Sequence, residues 1–100
     1  MSFDDYDASD PVQVAKAEKA QEDRDRDIFF VMGEPRGRRW LYNLIWGDCH
    51  VGRSSFVPGD IEGTSFNEGS RAIGNMVEGE LRARAAKLYM KMLEENHFNV

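Results

Sequence analysis

Apolar residues recur along this chain at spacings of three and four, and no alternating run of useful length interrupts them, so the pattern predicts an all-α fold. Residues 12–32 suit a helix throughout. Asp10-Pro11 supplies its start, because aspartate caps free backbone N–H groups and proline fits the first turn. The middle of this segment, KAEKAQEDRDRD, is polar on nearly every side. That predicts an exposed rod supported by pairs such as Glu22–Arg26. Its end, IFFVM, is apolar and is expected to dock into the core.

Gly33-Glu34-Pro35 stops the first helix and starts a second, predicted over residues 35–50. Leu41, Leu44 and Ile45 fall on one face of it, and Tyr42, Trp46 and Cys49 widen the apolar arc. A broad arc of this kind means burial on two sides or a surface that meets a partner. The stretch VGRSSFVPGDIEGT, residues 51–64, reads as a long loop turning at Pro58-Gly59, with Phe56 and Val57 pinning it to the body. A third helix is predicted over residues 66–95, opened by a capping box between Ser65 and Glu68. Its apolar stripe comprises Phe66, Ser70, Ile73, Gly74, Val77, Leu81, Leu88 and Met92. Ser70 and Gly74 lie within that stripe, where small side chains admit a close helix crossing. Each interior glycine costs a helix about 1 kcal/mol relative to alanine, so a compensating contact is expected. Gly69 sits at the margin of the stripe, and Gly79 faces outward with no evident compensation.

The expected architecture is therefore a small three-helix domain with a long loop between helices two and three and an extended acidic N-terminal helix. It divides into an acidic disordered lead at 1–9, a helical arm at 10–32 that docks at its C-terminal end, and a compact helical domain at 33–100. Charge sharpens this division. Residues 1–30 carry nine acids and four bases, the whole net −5 of the chain, while the remainder holds nine of each. An acidic arm repels phosphate backbones and argues against a general nucleic-acid binder. The longest apolar run, residues 28–32, is too short to span a bilayer, and the acidic start does not read as a secretory signal. The single cysteine, Cys49, forms no internal disulfide and fits a reducing compartment. A soluble protein, cytoplasmic or enclosed in a particle, is the expectation.

Residues with chemical potential are few. Asp48-Cys49-His50 holds the types found in thiol and metal sites, yet neighbours on a helix point apart, and the second histidine, His97, is remote in sequence. Burial of Cys49 is the expected use, with no catalytic residue, metal or cofactor. Arg36, Arg38, Arg39, Arg53 and Arg71 form the basic grouping, expected to pair with Asp48, Glu68 or the acidic arm. Ser54 and Ser55 read as turn residues, and GEPRGRR lacks the spacing of a phosphate loop. Trp40, Tyr42 and Trp46 are the candidate partner contacts, since aromatics beside arginine favour interfaces.

Three blocks, PRGRRWLYNLI at 35–45, RSSFVPG at 53–59 and FNEGSRAIGNMV at 66–77, resemble small tailed-bacteriophage proteins typified by a Bordetella phage protein of the nineteenth-gene type. The matching positions are Pro35, Gly37, Arg38, Arg39, Leu41 and Leu44, then Ser55 and Phe56, then Phe66, Asn67, Glu68, Gly69, Arg71 and Gly74. The third block is the most specific, and Arg36 departs from the pattern. The resemblance implies a virion-associated or assembly setting and no reaction. It also implies that the blocks meet in one corner, with Arg38 or Arg39 bonded to Glu68 or Asn67. The expected function is a non-enzymatic phage protein, in the host cytoplasm during infection and in the virion, acting on phage structural proteins or by self-association. No membrane or small-molecule substrate is expected. The alternative is a phage nucleic-acid-binding accessory protein using the five arginines.

Overall fold

The computed structural model describes residues 9–97 and is helical throughout its regular structure, with no strand among the described residues. The first helix, α1 (Pro11–Met32), begins where Asp10 accepts a 2.9 Å bond from the Val12 N–H, with Pro11 in the first turn. It ends at Gly33, whose N–H donates to the Phe29 carbonyl at 2.8 Å. After one residue Pro35 opens α2 (Pro35–Tyr42), which runs on as a π-helical segment, Asn43–Asp48. The expected lead at 1–9 lies outside the described residues except for Ser9.

The third predicted helix is two helices, α3 (Ile61–Arg84) and α4 (Ala86–Asn96), which makes four among the described residues. The break is at Ala85, where φ −136° and ψ 53° leave the helical region. Ala85 is buried, and the turn there lets α3 pack on the π-helical segment while α4 packs on α2. One straight helix could not meet both. The start also differs from expectation. Asp60 caps α3, its Oδ1 accepting from the Gly63 N–H at 2.8 Å, so the helix begins four residues before Ser65. The Ser65–Glu68 capping box does not form, because Glu68 is engaged by Ser55 and Arg71.

Met32, Leu41, Tyr42, Ile45, Leu81, Ala85, Tyr89 and Met92 form the buried core, drawn from every helix. Of IFFVM, only Met32 is fully buried; Ile28 packs against the core from the same face, while Phe29, Phe30 and Val31 are exposed. Helical periodicity explains this, since positions 28 and 32 share a side and the three between turn away. Phe56 likewise does not pin the loop. It is 69% exposed, and buried Ser55 does the work, its hydroxyl on Glu68 and its carbonyl accepting from Asn67 Nδ2 at 3.3 Å. Phe66 and Ile73 also leave the expected core stripe for solvent.

Along α1, Arg26 bonds Asp23 at 3.5 Å in place of the expected Glu22, and Lys19 bonds the same aspartate at 3.0 Å. Arg24 forks onto Glu80 of α3, its Nη2 2.7 Å from Oε1, and Asp25 faces Arg84 at 3.8 Å. The arm is thus fixed to the body from Arg24 onward. Its projection gives a radius of gyration of 16.8 Å, against about 13 Å for a compact chain of this length.

Two glycines permit close approaches between separate elements. At Gly37 a Cβ would fall 2.0 Å from the Val31 carbonyl oxygen, so α2 meets the last turn of α1 backbone to backbone. At Gly74 a Cβ would lie 2.5 Å from Cys49 Cβ and 2.6 Å from Val51 Cγ2, which seats α3 on the turn after the π-helical segment. Gly37→Ala is expected to lower stability by about 2–3 kcal/mol, because the clashing atom is backbone and cannot rotate away. Urea unfolding followed by circular dichroism checks this; an unchanged midpoint would refute the contact.

Candidate interaction surface

The basic start of α2 is divided by the helix into one inward and two outward arginines. Arg38 turns in and is 2% exposed. Its Nη1 donates to the Met32 carbonyl at 2.8 Å, and its Nε and Nη2 grip the Glu95 carboxylate, the latter at 2.9 Å. The expected partners, Glu68 and Asn67, are instead held by Ser55. The anticipated single corner is therefore two separate clusters: Arg38 with Met32 and Glu95, and Ser55 with Asn67, Glu68 and Arg71. Glu95 lies 57 residues from Arg38, and no local spacing connects them.

Of the other arginines, Arg53 donates from Nη2 to the carbonyls of Trp46 and Gly47 at 3.0 and 2.6 Å. Those are acceptors at the end of the π-helical segment, so Arg53 acts as a cap for that terminus. Arg71 pairs with Glu68 at 3.1 Å. Arg36 and Arg39 are exposed on α2. Asp48 is exposed at the end of the π-helical segment; Cys49 is half-buried and faces Gly74; His50 takes a left-handed φ of 58°. Among the described residues no group of three histidines, cysteines or carboxylates is placed to hold a metal ion.

The three candidate contact aromatics have different fates. Tyr42 is buried and stacks on Trp46 with ring centroids 4.8 Å apart; Trp46 continues to Tyr89 at 6.4 Å. Desolvation pushes the Tyr89 hydroxyl up to about 12, aided by its 2.8 Å bond to Glu78. This chain of rings is part of the packing. Trp46 also edges a hollow of about 390 Å³ with Tyr42, Asn43, Val51 and Arg53. Trp40, by contrast, is 62% exposed. It borders a groove of about 260 Å³ whose apolar walls come from three helices: Ile28 and Val31 of α1, Leu41 of α2, Val77 and Leu81 of α3. Arg24, Asp27 and Glu80 form its polar margin. An apolar floor with one large aromatic at the edge and charges around the rim is the anatomy of a protein contact site. Sequence spacing does not reveal this groove, because its walls meet only after the arm has docked.

The surface continues beyond the groove. Among the described residues eleven large apolar side chains are exposed, against eight apolar residues in the core, and five of the exposed ones lie on or beside α3 and its preceding loop: Phe56, Ile61, Phe66, Ile73 and Met76. Comparison with protein-family models, curated proteins and solved structures gives no match to this chain.

Carboxylates tie the helices and the loop to one another. Arg38's bonds hold Glu95 below the usual carboxylate range, Arg24 does the same for Glu80, and the Ser55 hydroxyl followed by Arg71 does so for Glu68. A depressed folded-state value contributes stability above the ordinary 4.5 that is lost as pH falls through the folded-state values. Stability is thus expected to be flat from neutral pH down to about 5 and to fall below that. Arg38→Met is expected to cost about 2 kcal/mol at neutral pH by leaving the Met32 carbonyl unpaired. It should also make the acid decline shallower, since Glu95 then titrates nearer its ordinary value. Urea midpoints from pH 7 to pH 3 for both proteins test the pair; parallel curves would refute it.

Proposed function

We propose that this chain is a non-enzymatic tailed-phage protein, virion-associated or used in assembly, that works through protein–protein contacts. The observation that carries the mode of action is the exposed apolar surface around Trp40. A chain of this size hides isolated apolar residues poorly, but a groove walled by three helices is a continuous apolar surface and not scatter, and that supports a docking role. The phage setting comes from the resemblance of the 35–77 blocks, and with it the expected locations, the infected cell's cytoplasm and the particle.

The geometry lends less support to the nucleic-acid alternative. Three of its five arginines have internal partners: Arg38 on Glu95, Arg53 on backbone carbonyls and Arg71 on Glu68. Arg36 and Arg39 alone are a small footprint for phosphate binding, and the acidic face of α1 opposes it. No helix among the described residues is long and apolar enough to cross a membrane.

Quantitative mass spectrometry of purified particles carrying the wild-type chain or Trp40→Ala tests the proposal. The variant is expected to keep wild-type stability within about 0.5 kcal/mol, as its side chain is mostly solvated. Its copy number per particle should fall by about tenfold or more, the usual effect of losing an aromatic anchor. Equal copy numbers would refute the groove as the contact site.

A further inference from the structure

Helix α3 is apolar on two sides. Its inner side carries Gly74, Val77 and Leu81 against the body. The opposite side, read at helical spacing, is Ile61, Ser65, Gly69, Ala72, Met76, Gly79 and Ala83. Apart from Gly79, all of these are exposed, with Ile61 at 84% and Met76 at 60%, and Ile73 and Phe66 flank them at 58% and 74%. Seven of the 24 residues in α3 are charged; none of the seven lies on this line, and those nearest to it are Glu68 along one edge and Glu62 and Glu80 along the other. Gly69 and Gly79 have no atom within 4 Å of a built Cβ, so nothing inside the molecule compensates their cost to the helix.

We propose that this outer face of α3 is the seam of a homodimer in which two copies pair antiparallel about a two-fold axis near Ala72. The charges select this occupant and this direction. The N-cap Asp60 and Glu62 stand at the start of the helix and Arg82 and Arg84 at its end. Asp60 caps Gly63, and the two arginines make only long contacts within the molecule, 3.6 Å to Glu78 and 3.8 Å to Asp25, and keep much of their side chains in solvent. Antiparallel copies set each acidic start against the other's basic end and oppose the two helix dipoles, whereas parallel copies would stack like charges. With the axis between Ala72 and Ile73, Met76 of each copy lies level with Gly69 of the other. The missing side chain of Gly69 then makes room for the methionine, and the helices approach at the short end of the usual 8–10 Å separation.

The area fits a modest dimer. From Ile61 to Ala83 the seam is roughly 33 Å long and about 12 Å wide, which with Ile73 and Phe66 covers on the order of 500 Å² per copy. That total, about 1,000 Å², is just below the range of standard specific interfaces and in that of weak, transient ones. This inference rests on the contact reading but not on the phage setting, and it uses a different face from the Trp40 groove.

Sedimentation equilibrium of the full chain across the micromolar range tests it. The wild type is expected to pass from monomer to dimer, and Ala72→Arg to stay monomeric with unchanged helix content. Gly69→Ala, which meets only open space within one molecule, should weaken dimerisation by about tenfold or more by filling the seam. Trp40→Ala should dimerise as the wild type does, so failure of the groove and failure of the seam are distinguishable. In a Cys49→Ser, Ala72→Cys protein, oxidation should yield a disulfide-linked dimer, a result independent of how the arginine variant folds. A wild type that stays monomeric at high micromolar concentration, or an Ala72→Cys chain that does not cross-link, would overturn the proposal.

Discussion

One buried guanidinium ties the ends of three helices together. Arg38 reaches from α2 to the last carbonyl-bearing turn of α1 at Met32 and to Glu95 near the end of α4. Removing a charge from water is costly, and the cost is offset here only because its donors are directed to a carboxylate and a helix-terminal carbonyl. The geometry depends on Gly37 beside it, since any side chain there would strike the Val31 carbonyl and hold α2 away from α1. Gly37 and Arg38 therefore act as one device: the glycine sets the distance and the arginine fixes the angle.

That corner determines what remains open. With α1 held at its end and again by Arg24 on Glu80, its Ile28 and Val31 stand beside Val77 and Leu81 of α3, and Trp40 overlooks the gap. The core beneath is small: among the described residues only Met32, Ile45 and Met92 are large side chains that are fully enclosed. Polar ties at the periphery take up some of the task of the missing apolar packing. Ser55 with Glu68 and Asn67 holds the loop, and Arg53 closes the π-helical segment.

Much of the local structure is legible in the sequence because its signals are local. Asp10-Pro11 and Gly33-Glu34-Pro35 mark both ends of α1, and the all-helical character follows from spacing alone. The break at Ala85 is not legible, since alanine is the best helix former and neither glycine nor proline marks the site. It is imposed by tertiary packing that pulls α3 and α4 onto different partners. The start of α3 lies earlier than the expected Ser65 because Asp60 caps the helix, and Glu68, required for a box with Ser65, is engaged by Ser55 and Arg71. Of the aromatics selected as candidate contacts, Trp40 is exposed, while Tyr42 is buried and stacks on Trp46. Arg38's bond to Glu95 joins residues more than half the chain apart, and nothing in residue type distinguishes Glu95 from its neighbour Glu94.

The glycines of α3 show how one helix serves two purposes. Gly74 and the outer pair look alike in sequence and carry the same penalty to helix formation. Their surroundings differ: Gly74 is met by Cys49 and Val51, and Gly69 and Gly79 by nothing. The inner glycine is accounted for by packing within one molecule. The outer two are accounted for if another helix lies against them, and the uncharged line between the bordering Glu68 and the pair Glu62 and Glu80 makes that second helix physically reasonable. A helix that exposes Ile61 and Met76 while keeping every acid and base to its flanks is poorly suited to water and well suited to a neighbour.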